Sequence, residues 1–277
     1  MAKSPVGSMS DWSGVLKDFW RQVDDGSITL EMVKALTEHR VISVLEILLE
    51  TTKKKLQKFF RVDLEPMPAE FTEENLAKWA EFNLKPVYLP MEEIGEDRKL
   101  KNWTKPEKWF YQKIGEGKVN ADSAKLFRGW YLADFTVGVD YIDGTQVFPD
   151  DPFATIIAKL REEGKIGKYD NTPLGSRFAI TNDEWRNVVC PAIAEALGFK
   201  SEQVRLERAV EFNVIGNVYD PNRGRFNMWE WFSDKFEDSG QLYGGYREHG
   251  GLAFVHYYWS SDRDDDIAGR PLVSFVK

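Results

Sequence analysis

The chain has 277 residues, of which 42% are hydrophobic and 14% aromatic, and it carries a formal net charge of −8. This length and apolar content can bury a full core, so a disordered chain is excluded, and the excess of acids argues against a nucleic-acid binder, which needs lysine and arginine against phosphates. The single cysteine, Cys190, excludes an intramolecular disulfide framework and a zinc site built from several cysteines.

The first part of the chain is predicted to be helical. Residues 1–9 contain Gly-Ser-Met and resemble a tag or a disordered start, whereas residues 10–85 form a helical N-terminal segment. Ser27 and Thr29 suit a helix start, and Lys53, near the end, suits the negative end of the helix dipole. Apolar residues recur there every three to four positions, namely Ile28, Val33, Leu36, Val41, Val44, Leu45, Leu48 and Leu49. The apolar face of this segment either packs within the chain or joins copies into a homo-oligomer.

Prolines mark the boundary between this segment and a second domain. Pro66, Pro68, Pro86 and Pro90 interrupt the helical pattern, and Thr72 caps a short helix between them. The boundary is therefore predicted near residues 62–86, with the second domain over residues 86–277.

Strands and helices alternate in the second domain. A short helix or turn follows residues 104–106, and residues 126–136 read as a strand rich in aromatic side chains. Helices are predicted over residues 149–165 and from Thr181 to Gly198, the latter starting with a Thr181 and Glu184 capping box. Two helices among many short strands indicate the α+β class.

Several short motifs then occur in one order along the last third of the chain. They are Arg205-Leu206, Glu211-Phe212, Gly216-Asn217-Val218, Trp229-Glu230-Trp231, Gly244-Gly245 and Arg270-Pro271-Leu272-Val273. In this order they resemble the C-type lectin-like fold, in the version shared by formylglycine-generating enzymes and the variable proteins of diversity-generating retroelements. By motif the resemblance covers about residues 170–277, and it implies a C-type lectin-like domain of two helices and many short strands.

The chain departs from the family pattern at three places. Glu207-Arg208 replaces a Pro-Thr pair, residues 219–227 form an extra stretch, and Gly269 stands where the closing motif has Phe. These departures affect loop geometry and the alignment of residues 264–270, but they leave the order of the motifs unchanged.

The enzyme branch of the family implies a copper-binding cysteine pair, which Cys190 alone cannot supply. Cys190 precedes the motifs and has no histidine nearby in sequence, so we expect a buried structural thiol. A metal-dependent oxidase-like site built from His249, His256 and Asp262 stays open as the enzymatic alternative.

The variable-protein branch implies a surface whose codons are rewritten where a template carries adenine. Such rewriting converts Asn codons to those of Tyr, Ser, Asp, His, Ile, Ala, Phe and similar residues, and never to those of Lys, Glu, Gln, Met or Trp. Between Leu252 and Gly269, Trp259 alone falls outside the permitted set. The resemblance therefore implies a variable ligand-binding region over about residues 243–270. Its candidate binding residues are Tyr246, His249, His256, Tyr257, Tyr258, Ser260, Ser261, Asp262, Asp264, Asp265, Asp266 and Ile267.

The composition of this region suits binding, because tyrosine gives a large, stiff contact area, and serine and aspartate give adaptable hydrogen bonds. The frame that holds it is expected to include Trp229, Trp231, Gly244, Gly245, Trp259 and Arg270. The aspartates of residues 262–266 also suit a calcium ion, which prefers oxygen ligands, and this alternative stays open.

The expected protein is thus a binding protein without catalytic residues, metal or cofactor. From Trp229 to Asp266 there are nine acids and three bases, which disfavours nucleic acid as a partner. No apolar run approaches the roughly 20 residues of a membrane span. We expect a macromolecular or cell-surface ligand, and we expect the protein itself to be displayed on a virion or a cell surface.

Overall fold

The structure is a computed structural model that describes residues 28, 43–98 and 104–276. The chain divides into two compact units, Met1–Leu64 and Glu65–Lys277. In the first unit, α1 (Val44–Leu56) starts with a capping box between Ser43 and Glu46 and ends in a lysine-rich turn. The predicted helix start near Ser27 lies outside the described residues.

The second unit begins at Glu65 and alternates helices and strands. Its elements are α2 (Glu73–Ala80), β1 (Leu84–Leu89), β2 (Glu92–Glu93), α3 (Lys108–Gly115), β3 (Lys125–Leu126), β4 (Gly129–Asp134), α4 (Ala154–Glu162), α5 (Asn182–Glu184), a π turn (Trp185–Val189), α6 (Cys190–Leu197), β5 (Val204–Leu206), α7 (Ala209–Val218), β6 (Trp229–Phe236), β7 (Gly240–Gly244), β8 (Val255–Trp259), β9 (Ile267–Gly269) and β10 (Pro271–Ser274).

This mixture confirms the α+β class, and α4 and the α5 to α6 run lie where helices were predicted. The expected number of two helices in residues 86–277 is wrong, since α3, which lies where a short helix or turn was predicted, and α7 are also helical. Helix α7 is apolar and buried nearly all round, so its sequence lacks the polar stripe from which an amphipathic helix is recognised.

Local signals set the starts of the correctly predicted helices. The Thr72 hydroxyl accepts a hydrogen bond from the Asn75 amide, and Thr181 and Glu184 form a reciprocal capping box. Both satisfy amide groups that a helix start would otherwise leave without partners.

The strands of the described residues form two four-stranded sheets, ordered β1-β4-β10-β5 and β8-β7-β6-β9, and a short β2-β3 pair. β6 and β7 pair antiparallel, as do β7 and β8, whereas β6 and β9 pair parallel. The sheet β8-β7-β6-β9 carries the stretch that the sequence marks as variable.

A buried arginine joins the two sheets. Arg270 lies between β9 and β10, and its guanidinium donates to both carboxylate oxygens of Glu230 in β6, at 2.9 and 3.1 Å. It also donates to the backbone oxygens of Asp134 in β4 and of Thr136 just after β4. This side chain therefore links one sheet directly to the other.

None of the helices within the described ranges has the length and apolar content to cross a membrane.

Candidate ligand-binding face

One side of the β8-β7-β6 sheet carries a continuous cluster of aromatic rings, which we call the aromatic face. It is defined by Trp229, Tyr243, Tyr246, His249, Phe254, His256 and Tyr258. All of these side chains are half-buried except His249, which is exposed. The face is therefore a surface feature and not part of the core.

Trp229 occupies one end of the aromatic face. Its ring centroid lies 4.4 Å from that of Tyr246, 4.7 Å from Phe254, 5.2 Å from Tyr243 and 5.3 Å from His249. Ring pairs at 4.5–7 Å in tilted or edge arrangements attract one another, so these rings hold one another in place.

The other end of the face follows the strand pairing of β7 and β8. Tyr243 stands opposite His256 in the register, and its ring lies 6.2 Å from His256 and 6.4 Å from Tyr258. Trp231, which is only 1% exposed, packs beneath Tyr243 and Tyr258. The half-buried rings of Tyr243 and Tyr258 thus pack on a buried tryptophan.

The loop of residues 260–266, which we call the acidic loop, borders the aromatic face. Trp229 Nε1 donates to Asp266 Oδ2 at 2.9 Å. Burial, a hydrogen bond with Asp264 and the charges of Asp264 and Asp265 raise the pKa of Asp266 to about 8. At neutral pH the Asp266 carboxyl is therefore largely protonated.

The acids of the loop also act on the tyrosines of the face. Burial and then the charges of Asp266 and Asp264 raise the pKa of Tyr243 to about 12. Burial and then Asp264 and Asp262 raise the pKa of Tyr258. Both tyrosines therefore remain protonated hydrogen-bond donors at any physiological pH.

Arg263 fixes the centre of the acidic loop by pointing away from solvent. Its guanidinium donates to both carboxylate oxygens of Glu184, at 2.7 and 2.8 Å, and to the backbone oxygen of Ala179 at 2.6 Å. The Tyr169 hydroxyl donates to the Arg263 backbone oxygen at 2.6 Å. The one basic residue of the loop therefore holds the loop in place, and its charge is paired with Glu184.

Backbone hydrogen bonds fix the rest of the loop. The Ala179 amide donates to the Asp264 oxygen, and the Trp229 amide donates to the Asp266 oxygen, each at 2.9 Å. Gln146 donates through its side chain to the Asp265 oxygen. The aspartate side chains consequently project from a backbone that is held on several sides.

Glycines make the connection from β7 to β8 tight enough to bring Tyr246, His249 and Phe254 together. Gly245, Gly250 and Gly251 all have positive φ, of 100°, 118° and 57°. At Gly244 a Cβ atom would overlap the backbone oxygen of Phe254. Gly244 and Gly245 therefore have the structural role that the sequence predicted for them.

The structure brings most of the predicted binding residues into one region. Tyr246, His249, His256 and Tyr258 lie on the aromatic face, and Asp262, Asp264 and Asp266 border it. Asp265 lies on the far side of the loop, where the Tyr141 hydroxyl is 3.5 Å from its carboxylate. Ser260 donates to Asp183 at 3.1 Å and Ser261 is exposed, so both lie at the margin.

Two predicted binding residues lie elsewhere, and their assignment is corrected. Tyr257 points to the opposite side of β8, because successive strand residues face opposite ways, and its ring stacks on Phe236 at 3.9 Å. Ile267 is 2% exposed, because it lies in the buried strand β9 and pairs there with Trp229 of β6. Neither side chain is available to a ligand on the aromatic face.

The predicted frame needs one correction. Trp231 and Arg270 are buried as expected, but Trp259 is 51% exposed. It is the last residue of β8, which is an edge strand, so no neighbouring strand covers it. Trp229 belongs both to the frame and to the aromatic face, because its backbone lies in β6 while its ring forms part of the face.

Sequence reasoning did not include Tyr243 and Phe254 among the binding residues. The missed signal is strand alternation across the β7 and β8 hairpin, since Tyr243 pairs with His256 and shares its side of the sheet. Phe254 immediately precedes β8, and its ring contacts both His249 and His256.

The residues proposed for an oxidase-like site show no metal-binding arrangement. His249 and His256 each contact the Phe254 ring, and within the described part of the chain no group of three or more His, Cys, Asp or Glu side chains is placed to hold a metal ion. Cys190 is buried, and burial raises the pKa of its thiol to about 12, which confirms the structural interpretation.

No protein-family model, curated protein or solved structure matches this chain. What the fold and the face define together is an α+β protein with an anchored surface of aromatic and acidic side chains. The function is inferred below from that geometry.

Proposed function

We propose that this protein is a non-enzymatic ligand-binding protein, with a C-type lectin-like scaffold that displays a diversified surface, as in the variable proteins of diversity-generating retroelements. The observation that carries the proposal is the continuous aromatic face, bordered by an acidic loop whose backbone is anchored by Arg263, Gln146 and Trp229. The ligand is a macromolecule or a cell-surface component.

The positions of the family motifs support the scaffold. Arg205 and Glu211 form a two-pronged ion pair at 2.6 and 2.7 Å, and Glu230 pairs with Arg270. The Gly244-Gly245 pair forms the turn at the end of β7. Each of these motifs therefore makes contacts that hold the fold together.

The character of the face supports binding. Tyrosine, tryptophan and histidine rings present large areas with few torsions to immobilise, and their polar tips stay in reach of a partner. Exposed clusters of apolar rings on a folded protein mark sites of interaction. Because the rings of Trp229 and Tyr243 rest on packed neighbours, little ordering remains to be done on binding.

The nucleotide sequence beside the gene tests the retroelement assignment. We expect a near-copy of the codons for residues 246–270 that differs from the gene only where the copy has adenine. The differing codons should encode side chains of the aromatic face and the acidic loop, such as Tyr246, Tyr258 and Asp264, and should spare Arg270. Substitutions at other bases, or the absence of a near-copy, would contradict the proposal.

A further inference from the structure

We propose that the aromatic face and the acidic loop bind an extended protein segment rich in arginine and lysine. This inference rests on the proposed function and specifies the chemistry of the partner. The observations that carry it are the charges at the border of the face, the geometry of its rings and the paired carboxyls next to Trp229.

Acids border the aromatic face on two sides. The acidic loop lies on one side, and Asp140 and Glu248 lie on the other. The pKa of Tyr246 is raised first by burial and then by the charges of Glu248, Asp266 and Asp140, which shows that these acids lie near its ring. A partner that crosses the face from Tyr246 to Tyr258 therefore meets carboxylates at both ends.

The bases in contact with this border do not neutralise it. Arg263 is turned inward onto Glu184. Arg247 is about half exposed and lies 3.8 Å from Asp140 and 4.0 Å from Glu248, so its charge is shared between two acids. The border stays net negative, which attracts a basic partner and repels phosphates.

The rings of the face suit cationic side chains. A guanidinium or ammonium group is attracted to the face of an aromatic ring, most strongly to tryptophan, and the planar guanidinium also stacks there. Trp229 and Tyr243 present rings within reach of Asp266, so one arginine can stack on a ring and pair with a carboxylate. An apolar partner would instead cover these carboxylates without pairing them, which is unfavourable.

The paired carboxyls couple binding to proton release. Asp266 faces Asp264 and Asp265 in its own loop, Trp229 on β6, Tyr243 on β7, and Tyr141, Tyr246 and Tyr258 around them. The tyrosines stay neutral, so the proton on Asp266 is the one that a cation displaces. Affinity should therefore rise as the pH increases through about 8.

A selection from a library of random displayed peptides, with the full-length protein as target, tests the inference. We expect enriched peptides with an excess of arginine and lysine. The double variant Asp264→Asn, Asp266→Asn should weaken the dissociation constant of a selected peptide by at least about tenfold. Raising the salt from about 50 to about 500 mM should weaken it as well.

Matched controls separate charge from folding. Asparagine keeps the size of aspartate and can hydrogen-bond to Trp229, and a thermal melt checks that the double variant is folded. Glu162→Gln removes one exposed charge from α4, which belongs neither to the aromatic face nor to the acidic loop, and should leave the affinity within about twofold. A second variant, Tyr243→Ala with Tyr258→Ala, removes rings from the face without changing its charge.

The outcomes distinguish this inference from the proposed function. Basic peptides whose binding is lost in both double variants support both. Neutral or acidic peptides whose binding is lost in the tyrosine variant overturn the basic partner and leave the binding function standing. Peptides that bind both variants as tightly as the unmodified protein, or a selection that enriches nothing, overturn the basic partner, and the proposed function is then decided by the nucleotide sequence beside the gene.

Discussion

At the scale of single residues, the surroundings of Asp266 have opposite effects on the pKa of its carboxyl group. Trp229 Nε1 donates to its carboxylate, which favours the charged form, whereas burial and the neighbouring Asp264 favour the protonated form. The second influence is larger, and the pKa rises to about 8. The unfolded chain has an ordinary aspartate pKa of about 3.9, so the folded state binds this proton more tightly.

The sign of this shift predicts a pH dependence of stability. Binding of this proton adds fully to the free energy of unfolding below about pH 4, and the added stability is lost as the pH rises towards about 8. Asp266→Asn should therefore have the same stability as the unmodified protein near pH 4 and exceed it by about 1 to 3 kcal/mol near pH 8, since solvent screens part of the effect. Urea denaturation of both proteins across this range measures the difference. Asp238→Asn, an exposed substitution in the β6 to β7 turn, is the control, and a gap that stays constant with pH would refute the expectation.

Residue-scale prediction succeeded where a local pattern decides the outcome. The makeup of residues 246–266 placed Tyr246, His249 and Tyr258 on a surface. It did not exclude Tyr257, although a strand that points Tyr258 outward must point Tyr257 the other way. What could not be deduced is that Trp229 is a frame residue by backbone and a face residue by ring, because that depends on the β7 to β8 connection folding over it.

At the scale of elements, the connection from β7 to β8 shapes one end of the face. Gly244→Ala should lower the free energy of unfolding by about 1 to 3 kcal/mol, because the new methyl group would overlap the Phe254 backbone oxygen and crowd the Phe232 ring. Gly115→Ala, at the end of α3, is the matched control. Its added Cβ meets no described atom within 4 Å, so it should stabilise by about 0.5 kcal/mol. Thermal melts of the two variants measure both effects, and equal stabilities would show that the turn tolerates a side chain.

Element prediction depended on how local each signal is. The Thr72 and Thr181 caps are set by residues three positions apart, so the sequence contains the whole signal. The anchor of the acidic loop joins Arg263 to Glu184 across 79 residues, and nothing in either segment indicates the other. Helix α7 was missed for a different reason, since complete burial removes its amphipathic pattern.

At the scale of the whole molecule, Arg270 is a buried side chain that joins the two sheets. Arg270→Gln should lower the free energy of unfolding by about 3 to 5 kcal/mol, because it leaves the buried Glu230 carboxylate without its ionic partner. Arg247→Gln removes an exposed arginine and should change stability by less than about 1 kcal/mol. Denaturant titration compares the two, and a small effect at Arg270 would mean that its ion pair with Glu230 contributes little to joining the sheets.

The division of the molecule into a frame and a displayed face predicts opposite tolerances to substitution. Trp231 is fully packed and donates from Nε1 to the Ile180 backbone oxygen, so Trp231→Ala should cost about 3 to 5 kcal/mol. A combined variant with serine at Tyr246, His249 and Tyr258 removes more ring area, but from half-buried or exposed positions. Since these rings cover the sheet without supporting it, we expect a loss of at most about 2 kcal/mol and full loss of peptide binding. Calorimetry measures the stability of both variants, and peptide binding is measured on the same samples. A face variant as unstable as Trp231→Ala would show that the aromatic rings belong to the core, which would remove the basis for a diversified surface.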